Sequence, residues 1–258
     1  MARSPTLWTG ARRVIHYHGG PITPDTCAIK AWAGRHAFIS YAAPRQVGLA
    51  AEYCQSFALD NGAFSFWKNG TQTNWDGFYN WVDEWRHHPG FDFAVIPDVI
   101  DGTEEENDEL IKAWPFKIYT GAPVWHINES IKRLRWLASI FPRVCIGSSG
   151  EFDVTRREAF LQRAHQAISA IVNERGQPTC KLHGLRMLNP EIFSKLPLSS
   201  ADSTNVALSI GMDNDWRGQY APKSKETRTS ILVERIESTN SAPVLNKIPI
   251  QTSFWEAA

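Results

Sequence analysis

The sequence predicts an α/β protein built as a single (β/α)8 TIM barrel. Short apolar runs, rich in β-branched and aromatic residues, alternate with amphipathic stretches of helical period along most of the chain. Eight such strand–helix units occupy 258 residues, which is close to the roughly 250 residues of a typical barrel. This number of units in this length favours a closed barrel over an open doubly wound sheet. We therefore expect residues 1–258 to form one domain, with an irregular tail from about residue 243.

The predicted strands are short, and polar or turn-forming residues bound them. Because each strand is followed by a helical stretch, consecutive strands should be parallel and joined by crossover helices. The eight predicted strands are Val14–His18, Ala37–Tyr41, Phe57–Asp60, Phe93–Pro97, Pro123–Ile127, Val144–Gly147, Lys181–Leu185 and Ser199–Asp202.

Several helices have recognisable periodicity or start signals. Val154–Glu174 places its apolar residues on one face at helical spacing. Asn128, Asn74 and Thr103 are each predicted to cap the helical stretch that follows, because their side chains can accept from the first free backbone N–H groups. The polar segment 209–225 predicts a long loop after the last strand, and such loops often contact substrate.

Composition excludes several classes of protein. Lys plus Arg and Asp plus Glu number 27 each, so the whole chain has no net charge to attract nucleic acid or membrane. Neither an apolar leader nor a run of about 18 apolar residues occurs, which predicts a cytoplasmic protein with no membrane partner. Phosphate-binding GxGxxG and GxxxxGK[ST] patterns are missing. The four cysteines are far apart, which predicts reduced thiols.

The predicted C-terminal ends of the strands carry residues suited to a substrate site, which is where such barrels place their active sites. Paired carboxylates suit two tasks, because one can attack a sugar carbon while the other moves protons. No metal is predicted, because their spacing is not that of metal ligands. The candidate residues are Asp60, Asn61, Gly62, Asp98, His126, Gly147, Ser148, His183 and Asp202, with His18 from the first strand.

Three segments together resemble the tRNA-guanine transglycosylase superfamily. ALDNGAFSFW (58–67) is similar to its SGGFQ segment, and RVCIGSSGEF (143–152) is similar to its IGGLxxGE segment. KLHGLRMLNPEIFSKLPLSSADSTN (181–205) resembles the segment that contains the family's nucleophile, including its spacing. The segments occur in the family's order. The short chain and the Asp-Asn-Gly and Asp-Ser-Thr variants look closer to the viral branch that inserts 7-deazaguanines into DNA.

The resemblance implies a role for each matching residue. Asp202 would be the nucleophile that attacks C1′ of the sugar and holds a covalent intermediate, and Asp60 would be the general base. Asp98 would bind the N–H edge of the purine, and His126 stands where the family has a base-binding glutamine. Further substrate contacts are expected from Gly147, Ser148, Asn61, Gly62, His183 and His18.

The partners and cofactors follow from the resemblance and from two departures. No cysteine follows Cys180, so the family's zinc-binding subdomain is not expected, and neither zinc nor any other cofactor is predicted. The family's Pro-Thr-Arg element after the nucleophile is also missing. The expected substrates are guanine-containing DNA and a 7-deazaguanine base such as the 7-cyano form, and the expected state is a monomer or weak homo-oligomer. Candidate phosphate contacts are Arg12, Arg13, Lys223, Lys225 and Arg228.

Other interpretations of the same residues stay open at this point. Asp60 could simply form an Asp-Asn-Gly turn, Asp202 could cap a turn, and His126 and His183 could be core histidines. Water could resolve the intermediate, which would make the protein a DNA glycosylase or nucleoside hydrolase. A third alternative is a non-catalytic barrel that binds nucleic acid or free deazaguanine.

Overall fold

Nine parallel strands form one sheet in the part of the chain that the computed structural model describes, namely residues 14–71, 73–148, 150–211, 216 and 220–246. The strands are β1 (Ile15–Gly19), β2 (His36–Ser40), β3 (Ser56–Asp60), β4 (Phe91–Val95), β5 (Gly121–Ala122), β6 (Val124–His126), β7 (Arg143–Gly147), β8 (Lys181–Gly184) and β9 (Ser200–Ser203).

The sheet curls into a nearly closed barrel. Its strand order is β5-β4-β3-β2-β1-β9-β8-β7-β6, and every pair is parallel. The two strands at the ends of this order, β5 and β6, are separated in the chain by Pro123 alone, so the two edges of the sheet must come together. This confirms the predicted parallel α/β barrel.

The predicted fifth strand is divided at Pro123. β5 pairs with β4, whereas β6 pairs with β7. A proline has no N–H to donate to a neighbouring strand, although the Pro123 carbonyl still accepts from the Cys145 N–H at 2.9 Å. The prediction of eight separate strands is therefore not confirmed, because two of the nine observed strands come from one predicted strand.

Helices connect the strands. Ten helices are described: α1 (Asp25–Trp32), α2 (Val47–Tyr53), α3 (Ala63–Lys68), α4 (Trp75–Trp85), α5 (Glu104–Lys112), α6 (Ile131–Ile140), α7 (Arg157–Ser169), α8 (Pro190–Phe193), α9 (Asn205–Ser209) and α10 (Lys225–Glu237), with short 3₁₀ turns at Pro44–Gln46 and Gly150–Phe152. The predicted caps Asn74 and Thr103 are confirmed: Asn74 accepts from the Asp76 N–H, and Thr103 forms a reciprocal capping box with Glu106.

Two helix boundaries differ from prediction. Helix α6 is capped by Ser130, whose hydroxyl accepts from the Arg133 N–H, and not by Asn128. Helix α7 is shorter than the predicted 154–174. Before it, the Asp153 carboxylate accepts from the N–H and hydroxyl of Thr155 and forms a turn. After it, Val172 pairs with Pro178 in an isolated antiparallel bridge.

The core has two layers, because successive side chains of a strand point to opposite faces. A small inner cluster fills the barrel: Tyr17, Phe38, Ala58, Phe93, Val95, Ala122, Val124 and Cys145. A larger outer cluster packs the other face of the strands against the helices. Asp60 lies two residues after Ala58, and Asp202 is the strand partner of Tyr17. Both carboxylates therefore face the barrel interior, at its C-terminal end.

Some predictions concern residues beyond the described ranges. Arg12, Arg13, most of the predicted tail and seven residues of the predicted 209–225 loop lie outside them. The four cysteines form no disulfide. Among the described helices, none combines the length and the apolar character needed to cross a membrane.

Candidate active site

Three carboxylates lie in one region at the C-terminal mouth of the barrel. Asp60 ends β3, Asp98 follows β4, and Asp202 is in β9. Asp98 and Asp202 are buried, whereas Asp60 keeps some contact with solvent. Besides burial, the charges of Asp202 and Asp98 both raise the pKa of Asp60, which requires the three groups to be close. The structure thus places these three carboxylates at the same end of the barrel.

Asp60 has the ionisation behaviour of a general acid–base group. Burial raises its pKa from 3.8 to about 7. Asp60 also forms hydrogen bonds with Ser40 and with the Gly62 N–H, which is 3.1 Å from Oδ2. These bonds lower the pKa of Asp60, but burial and the two neighbouring charges together raise it by more. Near neutral pH both forms of Asp60 are populated, so the group can give or accept a proton.

The turn after β3 links Asp60 to Asp98 through Asn61. Gly62 has a φ of +77°, and a Cβ there would lie 2.9 Å from the Ala42 nitrogen, so the turn needs glycine. The buried Asn61 amide donates to the Ile96 carbonyl at 2.9 Å and to Asp98 Oδ1 at 2.7 Å. Asn61 therefore orients Asp98 from the strand that carries Asp60.

The second oxygen of Asp98 lies beside His126. His126 Nε2 is 3.0 Å from Asp98 Oδ2, which is ion-pair distance. Burial lowers the pKa of His126, while the carboxylates of Asp98 and Glu129 raise it by more, so the net shift is upward. Glu129 also accepts from the His126 N–H at 3.0 Å and pairs with Arg133 at 2.6 Å. This network holds His126 in place.

Asp202 is held by one of its two oxygens. Its Oδ1 accepts from the Arg186 backbone N–H at 3.0 Å and lies 3.2 Å from His183 Nε2. Burial lowers the pKa of His183, so its ring is neutral and donates from Nε2, while the Ser200 hydroxyl donates to Nδ1 at 2.8 Å. Among the described residues, Oδ2 of Asp202 has no hydrogen-bond partner, which leaves an oriented oxygen for substrate.

Aromatic rings form the floor under these carboxylates. His183 stacks on Phe38 with ring centroids 5.2 Å apart, and the edges of Phe93 and Tyr17 meet it at 5.2 and 5.9 Å. Burial also raises the pKa of the Cys145 thiol, so this cysteine is a neutral core residue. The apolar floor is one physical reason that the charge on Asp60 is disfavoured.

Gly147 and Ser148 have different surroundings from those expected. A Cβ on Gly147 would lie 3.1 Å from His126 Nδ1, so this glycine makes room for the histidine. The Ser148 carbonyl accepts from Arg186 Nη2 at 2.9 Å. Ser148 is only 3% exposed, and no described residue forms a hydrogen bond with its hydroxyl. Because buried polar atoms are usually paired, this hydroxyl is a candidate ligand contact.

Two predicted contact residues prove to be structural. His18 faces out of the barrel, where its Nε2 lies 3.0 Å from Glu237 of helix α10. The expected substrate role of His18 is therefore not supported, because the opposite face of β1 points to the site. Arg228 is buried and donates to the backbone carbonyls of Ile210 and Pro222, so it is not a phosphate contact.

Arg186 and Glu129 were not predicted from the sequence. Arg186 has a φ of +58°, which is unusual for a residue other than glycine, and no local sequence pattern indicated this. Glu129 could have been found from its spacing of four residues to Arg133, which is typical of helical ion pairs. Both residues support the predicted carboxylates and imidazole from the loops at the mouth.

Comparison with known proteins adds no relative: no protein-family model, curated protein or solved structure matches this chain. In the described part of the chain, no group of three or more His, Cys, Asp or Glu side chains converges as a metal site would require. The fold and the site together define a parallel α/β barrel whose C-terminal mouth holds three carboxylates in three different environments.

Proposed function

We propose that this protein is a DNA-guanine transglycosylase that exchanges guanine in DNA for a 7-deazaguanine, such as the 7-cyano form. The observation that supports this best is the contrast between two carboxylates at one barrel mouth. Asp202 is oriented through Oδ1 with Oδ2 available, whereas Asp60 has a pKa of about 7. The proposal treats β5 and β6 as halves of one strand of a (β/α)8 barrel without a zinc-binding subdomain.

The first step is displacement of guanine. Asp202 Oδ2 attacks C1′ of the target nucleotide, and the bond between C1′ and N9 breaks with its electron pair moving to N9. Protonated Asp60 gives its proton to the departing base. An ester between Asp202 and the sugar then holds the glycosyl group.

The second step reverses the first with a different base. The incoming 7-deazaguanine loses its N9 proton to Asp60, and N9 attacks C1′ while the Asp202 carboxylate leaves. Two inversions at C1′ retain the original configuration. Asp60 ends in its starting protonation state, so the reaction requires no external acid or base.

Base recognition falls to Asp98 and its neighbours at the same barrel mouth. Asp98 is buried and already fixed by Asn61, so it can accept from the N–H edge of a purine. The Ser148 hydroxyl, for which the described residues offer no hydrogen-bond partner, is a further contact at this mouth. A base without the matching donors would shield the remaining acceptor positions of this carboxylate from water without pairing them, which is costly. The target nucleotide must leave the base stack to reach the mouth.

Incorporation of labelled base is the direct test. The protein is incubated with a guanine-containing oligonucleotide and isotopically labelled 7-deazaguanine, and the DNA is analysed by mass spectrometry. Asp202→Asn should reduce incorporation by roughly 10³-fold or more and abolish the protein–DNA adduct seen after denaturation. Asp83→Asn is the matched control, since Asp83 is an exposed carboxylate on helix α4. Wild-type incorporation by Asp202→Asn would contradict the proposal.

Hydrolysis is the second candidate function. It is favoured by the solvent contact that Asp60 keeps, because a carboxylate with a pKa of about 7 can deprotonate water as well as a base. A glycosylase would release free guanine and leave abasic sites when no acceptor base is added. Incorporation of the labelled base without release of guanine in its absence favours exchange.

A further inference from the structure

We propose that Arg186 binds a phosphate next to the target nucleotide, so that the substrate is a phosphodiester-linked guanosine and not a free nucleoside. The inference rests on the proposed function, because it places the sugar of the target at Asp202. It assigns a substrate contact to a residue that neither the predicted site nor the proposed reaction steps use.

The backbone of Arg186 is fixed beside the reacting group. Its N–H donates to Asp202 Oδ1 at 3.0 Å, and its φ is +58°. A residue other than glycine keeps this conformation only when its surroundings hold it there, and such strain is concentrated at functional sites. The side chain of Arg186 therefore starts from a defined point next to the attacking carboxylate.

The guanidinium is held across the mouth, and some of its donors are unused by the described residues. Its Nη2 donates to the Ser148 carbonyl at 2.9 Å, and its central carbon lies 4.0 Å from the centroid of the Phe64 ring. Arg186 is exposed. One charged neighbour among the described residues is Asp153, which forms no ion pair with it but lies close enough for the guanidinium to lower the pKa of that carboxyl. Within the same residues, Nε and Nη1 have no hydrogen-bond partner, so donors of the planar fork stay available.

The chemistry and the reach both suit a phosphate. A guanidinium fork matches two oxygens of a phosphate, and its orientation on an aromatic ring reduces the entropy lost on binding. The link from C1′ to a neighbouring phosphate is similar in length to an arginine side chain. A nucleotide with C1′ at Asp202 Oδ2 would therefore bring one of its two phosphates within reach of Arg186.

Binding assays with modified DNA test this contact without any need for turnover. Fluorescence anisotropy measures the Kd of a short single-stranded oligonucleotide with one guanine. Two further oligonucleotides replace the phosphate on the 5′ or the 3′ side of that guanine by an uncharged methylphosphonate. Arg186→Gly is the informative variant, because glycine tolerates a positive φ and retains the N–H that Asp202 accepts. A thermal melt checks its fold.

Arg175→Ala is the matched control. Arg175 is an exposed arginine in the turn that precedes β8, so it lies at the opposite end of the barrel. Its removal should leave the Kd for all three oligonucleotides unchanged.

Removing the arginine and removing the phosphate charge should weaken DNA binding by the same amount, because both remove one contact. Wild type should lose roughly tenfold in affinity on one of the methylphosphonates. Arg186→Gly should bind unmodified DNA about tenfold more weakly than wild type does, and the same methylphosphonate should not weaken its binding further. The slope of its log affinity against log salt concentration should correspond to about one phosphate contact fewer than in wild type.

Three outcomes would overturn the inference: equal sensitivity of wild type and Arg186→Gly to both methylphosphonates, an equal loss in Arg175→Ala, or no binding of any oligonucleotide by wild type. If the expected binding pattern is found but no base exchange occurs, the proposed reaction is rejected and the phosphate contact stands.

Discussion

Replacing Asp60 by asparagine should stabilise the protein at alkaline pH, although it removes the proposed acid–base group. The reason is that the folded structure disfavours the charge on this carboxyl, whereas the unfolded chain does not. Asparagine has the same shape, can still accept from the Gly62 N–H, and has no charge to bury. Stability and activity should therefore change in opposite directions.

The size and sign of the effect follow from the pKa. Burial raises the pKa of Asp60 from 3.8 to about 7, which corresponds to about 4 kcal/mol of unfolding free energy well above pH 7. Because the carboxyl keeps some solvent contact, we take about half of this, or ~2 kcal/mol. Between the two pKa values the folded state binds more protons than the unfolded state, so the wild type loses this stability as pH rises through that window.

Urea denaturation at two pH values provides the measurement. At about pH 8.5, Asp60→Asn should unfold with a free energy about 2 kcal/mol higher than wild type, and most of this gain should disappear near pH 4.5. Asp83→Asn, an exposed carboxyl, should show no such pH-dependent difference. A gain of equal size at both pH values, or a loss at the higher one, would refute the reasoning about Asp60.

Two further substitutions test the supports of the site. Gly147→Ala should lower the free energy of unfolding by about 1–2 kcal/mol and reduce base exchange, because its Cβ would lie 3.1 Å from His126 Nδ1. A thermal melt and the exchange assay measure these two effects. The control is Gly48→Ala, whose Cβ would meet nothing within 4 Å. Arg133→Met should destabilise the fold by about 3–5 kcal/mol in urea denaturation, because buried Glu129 loses its 2.6 Å partner. Adding Glu129→Gln should recover part of that loss, and a double variant no more stable than Arg133→Met would contradict this explanation.

Patterns of neighbouring residues were sufficient to predict the barrel, whereas some helix boundaries depend on contacts between elements that are distant in sequence. The capping residues Asn74 and Thr103 act within one turn of their own helices, so the sequence was sufficient to find them. The choice of Ser130 over Asn128 was not predictable in this way. The Glu104 carboxylate of helix α5 accepts from the Ser130 N–H at 2.5 Å and from its hydroxyl at 3.0 Å, and this contact is distant in sequence.

In the site, too, some residues could be predicted from their neighbours in sequence, whereas others depend on contacts with distant segments. Asp60 is the last residue of β3 and Asp202 the next to last of β9, and the alternation of the strand residues places both inside the barrel. His18 was misassigned because β1 is buried on both faces, so the sequence around it gives no contrast between inside and outside. Arg186 gave no signal, because its contacts are with Ser148, Phe64 and Asp202, which lie in three other segments of the chain.

In the proposed reaction, the coupling between Asp60 and Asp202 would time the proton transfers. The negative charge of Asp202 is one of the causes that raise the pKa of Asp60. When Asp202 forms the ester with C1′, its charge disappears and Asp60 becomes more acidic, at the moment when the leaving guanine needs a proton. When the incoming base displaces the ester, the charge returns and Asp60 becomes more basic, at the moment when N9 must lose a proton. Two aspartates in one low-dielectric mouth thus favour each proton transfer in the direction that its step requires.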